Sequence, residues 1–215
     1  NASMVRSSPS MAPKAYRQLR TILTTAVEDG LLAENPCHVR GASQESSAER
    51  QIPNIDEVAL LAEAIEPRFR CLVLIAAFCG LRKSECFGLA RCHIRLDEPY
   101  PRVLVERQRL EVAGKGLVFA PLKTEAAARA VAIPQSVVGE IEVHLANYVG
   151  VDPEALLFTT VRSGDMPRAS AWMRLWNKAR TGAELEDVRF HDLRHLAGTL
   201  AAIAGGTMKE LQARL

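Results

Sequence analysis

No excess of charge marks this 215-residue sequence: 27 Lys and Arg stand against 25 Asp and Glu, a formal net charge of +2. Bulk attraction to a polyanion is therefore excluded, and any nucleic-acid binding has to rest on local clusters of cations. Cysteine pairs are missing as well. The five cysteines (Cys37, Cys71, Cys79, Cys86 and Cys92) form no CxxC motif, and no His/Cys spacing fits a zinc finger, so no metal is expected. Odd in number and partly set in an apolar run, they read as reduced, mostly buried thiols of a cytoplasmic protein. The longest apolar run, Cys71 to Cys79, is too short to span a bilayer, and the polar, Ser-rich beginning carries no secretory signal. Glycine-rich phosphate-loop, dinucleotide and nucleophile-elbow patterns are absent, so nothing supports a nucleotide cofactor or a hydrolase elbow. Asp56/Glu57 and Asp97/Glu98 are sequence neighbours, which is not the facing geometry of a carboxylate pair. No internal repeat is visible.

What is present suffices for a core: 48% of the residues are hydrophobic. After a frayed tail (1–12), Pro13 to about Asp29 predicts a helix closed by Gly30, with Ala15, Leu19, Ile22, Leu23, Ala26 and Val27 on one stripe. With so little chain before it, that stripe either docks on the later part of the chain or closes a preceding domain. Residues 41–51 read as a linker. Asn54 and Glu57 have capping-box spacing before a helix to about Ile65. Residues 69–79 predict a helix buried nearly all round, ending at Gly80, and Leu81 to Glu85 open another. Residues 93–133 predict a small antiparallel sheet of about three strands, from 93–96, 102–108, 117–120 and 129–133. Helices resume at 135–148 and 168–179. The fold class is mainly α with a small antiparallel β-sheet (α+β).

Candidate site residues lie in four places. Phe190-His191-Asp192-Leu193-Arg194-His195 precedes an almost wholly apolar helical run. His191 and Arg194, three apart, project from one face and suit a phosphate, Arg binding two oxygens and His a third or a proton. A polar helix cap with a surface arginine is the plainer reading. Arg82, just past a core helix, is either a structural ion pair with Glu85 or an anion ligand. Lys123, between the last two strands, is carried outward by a hairpin loop and on its own reads as a solvated charge. The helix at 168–179 carries Arg168, Arg174 and Lys178 beside Trp172 and Trp176. The tryptophans suit a core, and the cations suit either solvent or a nucleic-acid backbone.

Gly80-Leu81-Arg82-x-x-Glu85, Leu122-Lys123-Thr124 and His191-x-Leu193-Arg194-His195 together resemble the tyrosine recombinase (phage integrase) family, in the family's order, over residues 52–215. The helix at 13–30 with Asn35-Pro36 resembles the end of that family's N-terminal core-binding domain, giving residues 1–40 as tail and last helix of that domain. The resemblance implies cleavage and rejoining of double-stranded DNA through a 3′-phosphotyrosyl link, without metal or other cofactor. Arg82 and Arg194 match the two arginines on the non-bridging oxygens, which favour the more highly charged pentacoordinate transition state over the ground state. Lys123 matches the general acid for the leaving 5′-oxygen, and His191 the histidine that assists proton transfer. Glu85 is expected to orient Arg82, and His195 to fix the helix or the arginine. The short hairpin and the HxLRH stretch favour integrases over type IB topoisomerases, which share the chemistry.

The family's Gly-His or Gly-Trp pair and its tyrosine follow the HxLRH stretch, whereas Tyr16, Tyr100 and Tyr148 all precede His191 and match no nucleophile. Four of six catalytic groups are thus expected here, in a chain inactive alone. The family implies a tetramer on DNA for the parent protein, and a monomer is expected for this chain. Two alternatives predict different behaviour. A non-catalytic DNA-binding or regulatory relative binds DNA in a salt-sensitive way without a covalent adduct. A remnant serving only protein interaction binds none.

Overall fold

The structure, a computed structural model, describes residues 11–44, 52–122 and 127–207. The chain divides into two compact units, Asn1–Arg50 and Gln51–Leu215.

The first unit is built on helix α1 (Met11–Glu28), none of whose residues is buried. Gly30 turns the chain with a positive φ of 70°, and Asn35 folds it back. The Asn35 amide donates to the Arg20 carbonyl (2.9 Å) and the Thr24 hydroxyl (2.8 Å), while its oxygen accepts from the Cys37 N–H (2.9 Å). The Tyr16 hydroxyl accepts from the Val39 N–H at 2.8 Å.

The second unit opens with α2 (Ile55–Ala64), whose capping box closes as the spacing predicts. Asn54 accepts from the Glu57 N–H at 2.9 Å, and Glu57 accepts from the Asn54 N–H at 2.7 Å. Helix α3 (Pro67–Cys79) is apolar on most of its surface and therefore takes the centre, packed against α2, α4 (Lys83–Gly88), α5 (Gln135–Tyr148) and α7 (Phe190–Ile203). Gly80, with φ 71°, ends it in the left-handed conformation that costs glycine least. Helix α6 (Ala169–Gly182) lies on α2 and buries both tryptophans. Trp172 stands edge-on to Phe69, Phe87 and Phe190, with ring centroids 5.9, 5.2 and 5.4 Å away. This aromatic cluster joins α3, α4, α6 and α7 in one core.

The strands depart from expectation. Residues 102–108 are not one strand: β2 (Arg102–Val105) pairs with β1 (Ile94–Arg95) and β5 (Arg129–Ala132), while β3 (Arg107–Val112) forms a separate hairpin with β4 (Gly116–Pro121). The break at Glu106 has a side-chain cause. Val103 and Val105 point into the core, whereas Arg107 bonds the Gly88 carbonyl (3.0 Å) and Glu154 (3.0 Å), and its guanidinium lies over Phe119. Because β4 pairs with β3 and β5 with β2, the segment between β4 and β5 connects two sheets and is not a hairpin turn. Lys123 itself lies outside the described residues.

Helix α4 meets β3 at Gly88, where a Cβ would sit 2.7 Å from the Arg107 carbonyl oxygen and 2.9 Å from Gln108 Cα. Both neighbours are backbone, so relief requires moving the hairpin. Gly88→Ala is expected to lose about 1–3 kcal/mol of stability in urea unfolding, the usual range for overpacking. An unchanged midpoint would show that the hairpin yields freely.

Candidate functional site

Two helix starts and one strand edge build the site. Helix α4 follows Gly80-Leu81, so Arg82 stands at its N-cap, where the first N–H groups of a helix lack partners. The Glu85 carboxylate turns back to accept from the Arg82 N–H (2.9 Å), and the Arg82 side chain donates to the same carboxylate at 2.8 Å. Helix α7 repeats the device: Asp192 accepts from the Arg189 N–H at 2.8 Å. In each case a carboxylate three residues into the helix sets the first turn, and with it the direction of the functional side chains beside it.

Arg194 points inward from α7. It is only 6% exposed and donates to the Gly80 carbonyl, at the negative end of α3. Its guanidinium also lies 3.7 Å from Glu85. Arg129, at the start of β5, reaches the same carboxylate with two nitrogens, at 2.9 and 3.4 Å. Glu85 is therefore the hub of three guanidiniums while itself 2% exposed.

The electrostatics reflect that imbalance. Burial works to raise the Glu85 carboxyl, but hydrogen bonds from Arg129 and from Arg82 outweigh it and hold the pKa below the usual carboxylate value. Burial, reinforced by the positive charge of Arg82, brings Arg194 down to about 10, so it keeps its proton at neutral pH. Arg82 is the accessible member, its side chain 48% exposed. One carboxylate against three cations leaves an excess of positive charge facing a partly open surface, the arrangement an anion requires.

His191 is exposed at the start of α7, its ring edge-on to that of His195 at 5.1 Å. Burial, then the charges of His195 and Arg194, hold its pKa below the ordinary histidine value, with Arg82 adding to the same effect. At neutral pH the ring is uncharged and able to accept a proton. His191 and Arg194 do not share an open face: His191 is exposed, its ring against that of His195, whereas Arg194 is turned into the core. Three further candidate cations lie on α6 or at its N-cap. Arg168 pairs with Glu111 of the hairpin at 3.0 Å, and Arg174 and Lys178 are exposed on α6.

Arg129 escaped the sequence reading. The signal was present in the two-residue period of β5, which puts Arg129 on the same face as buried Val131. An arginine at an inward strand position needs a buried acid, and Glu85 is that acid.

Comparison with known proteins agrees with this geometry. Residues 49–215 match the phage integrase family. The chain is 35% identical over its whole length to a putative prophage phiRv2 integrase of Mycobacterium tuberculosis and 36% identical to the integrase of Mycobacterium phage D29, and it spans 57% of the length of each. Among solved structures, the Tn1549 transposon integrase in complex with circular intermediate DNA superimposes with a TM-score of 0.75 at 18% identity, over 94% of this chain and 69% of that one. A lambda integrase dimer bound to a core site gives a TM-score of 0.56 at 17% identity, over 93% of this chain and 69% of that one. With a family match across the whole second unit, and an architecture shared with both integrases, the chain belongs to the phage integrase family of tyrosine recombinases.

Proposed function

We propose that the protein performs site-specific recombination or integration, cutting and rejoining double-stranded DNA through a phosphotyrosine intermediate. The observation that carries this reading is the convergence of Arg82 and Arg194 on one buried carboxylate, with neutral His191 beside them. In this reaction a tyrosine oxygen bonds to phosphorus, the bond to the 5′-oxygen breaks, and the leaving oxygen takes a proton. Arg82 and Arg194 bind the non-bridging oxygens, whose charge grows in the transition state. His191 assists the proton of the nucleophile, and Lys123 protonates the 5′-oxygen. Glu85 orients Arg82, and His195 supports His191 by ring contact. Arg168, Arg174 and Lys178 contact the DNA backbone. None of Tyr16, Tyr100 and Tyr148 is assigned as the nucleophile.

The same reading takes α1 with Asn35-Pro36 as the end of a core-binding domain and residues 41–51 as the linker to a catalytic domain at 52–215. The working form is a tetramer on DNA in the cytoplasm, and the chain alone is a monomer. Among the described residues no helix is long and apolar enough to cross a membrane.

The test is a nicked duplex carrying the attachment site, incubated with the whole protein and run under denaturing conditions. A covalent protein–DNA band is expected. Duplex binding with no such band would replace the enzyme reading with that of a non-catalytic DNA-binding relative.

A further inference from the structure

We propose that Arg129 is a positioning residue of the phosphate site: it engages the Glu85 carboxylate and so leaves the charges of Arg82 and Arg194 uncompensated for an incoming phosphodiester. The inference rests on the reading of this cluster as a phosphodiester site.

Three cations share one carboxylate, but not equally. Arg129 approaches Glu85 as a fork, with two nitrogens on two oxygens at 2.9 and 3.4 Å, and a third bond from the same guanidinium to the Ala127 carbonyl (3.1 Å) fixes its plane. Exposure does not set it apart, its side chain being 9% exposed against 7% for Arg194; the fork on Glu85 does. Arg82 holds Glu85 through one side-chain nitrogen and leaves about half of its side chain in solvent. Arg194, at 3.7 Å, lies beyond hydrogen-bonding distance of the carboxylate. A bidentate pair in a dry site is the stronger one. Arg129 and Glu85 thus form the neutral couple, and Arg82 and Arg194 stand as two positive charges. The other acid on these elements, Asp192, accepts from the Arg189 N–H and acts on His191 in the opposite sense to the arginines.

Loss of Arg129 turns Glu85 toward the remaining arginines and cancels one of those two charges. Loss of both Arg129 and Glu85 returns the count to two. A residue that only supports the fold predicts the opposite order, with the double variant worse than the single.

The experiment compares wild type, Arg129→Gln, Arg129→Lys and the pair Glu85→Gln/Arg129→Gln in the 215-residue chain. The first readout is the NMR titration of the His191 ring, whose midpoint is depressed in part by the charges of Arg194 and Arg82. The second is affinity for a fluorescent duplex of mixed sequence at low salt. Arg129→Gln is expected to raise the His191 midpoint, in the direction of the ordinary histidine value, and to weaken duplex binding about tenfold. In the double variant the His191 midpoint is expected to return toward wild type, while duplex affinity recovers only in part because Arg82 has lost the carboxylate that orients it. Should Arg129→Gln lose its near-ultraviolet tryptophan signal, Arg129→Lys is read in its place, because it keeps the charge without the fork and falls midway. An unmoved His191 midpoint, or a double variant further from wild type than the single, overturns the role of Arg129. A wild-type chain that binds no duplex overturns the phosphodiester reading instead, while the His191 titration, made without DNA, still decides for or against Arg129.

Discussion

Glu85→Ala is expected to lower the stability of the second unit by about 3–5 kcal/mol, the range for removing one partner of a buried ion pair. The carboxylate pairs with both Arg129 and Arg82, and it also closes the first turn of α4. Its removal leaves buried Arg129 and Arg194 repelling each other across the place it held. Urea unfolding followed by Trp172 and Trp176, both in the second unit, measures the loss. A change below about 1 kcal/mol would place the cluster in the class of solvated surface pairs. The same contact makes the fold acid-sensitive. Because the folded pKa of Glu85 is depressed, its contribution is complete above the unfolded carboxylate value of about 4.3 and disappears as pH falls through the lower folded value.

Arg194→Lys in the whole protein is expected to slow strand cleavage about 10²- to 10³-fold, the usual effect of removing one donor from a developing oxyanion. Lysine keeps a positive charge but not the planar fork that can hold the Gly80 carbonyl and a phosphate oxygen together. Stability should suffer less than in Glu85→Ala. Arg194 is itself disfavoured by burial and by Arg82, while Glu85 keeps its bonds from Arg82 and Arg129. Single-turnover cleavage at saturating DNA separates the two effects. Wild-type rates would remove Arg194 from the transition state and leave it a structural tie between α7 and the end of α3.

The two predictions differ because one residue is a hub and the other a proposed ligand, and that distinction arises from contacts across the fold. Local structure was legible where the signal was local. The Asn54/Glu57 spacing predicted a capping box that closes at both bonds, and the nearly unbroken apolar surface of 69–79 predicted the central helix. The tryptophans four apart were legible as core, and they sit among Phe69, Phe87 and Phe190. The sheet was misread because alternation runs straight through Glu106. At that point Arg107 turns to Gly88 and Glu154, and the chain changes partner from β5 to β4.

The sequence by itself determined the helices, and the residue types of the proposed phosphate site with their order along the chain. These arise from caps, periodicity and motif spacing, which act over a few residues. The tertiary structure alone decided which charges meet. Arg129 reaches Glu85 across 44 residues and Arg194 reaches Gly80 across 114. Whether a charge is an exposed ligand or half of a buried pair depends on the solvent it loses and the partner it gains. Both are set by packing between distant segments, and no window of sequence contains them.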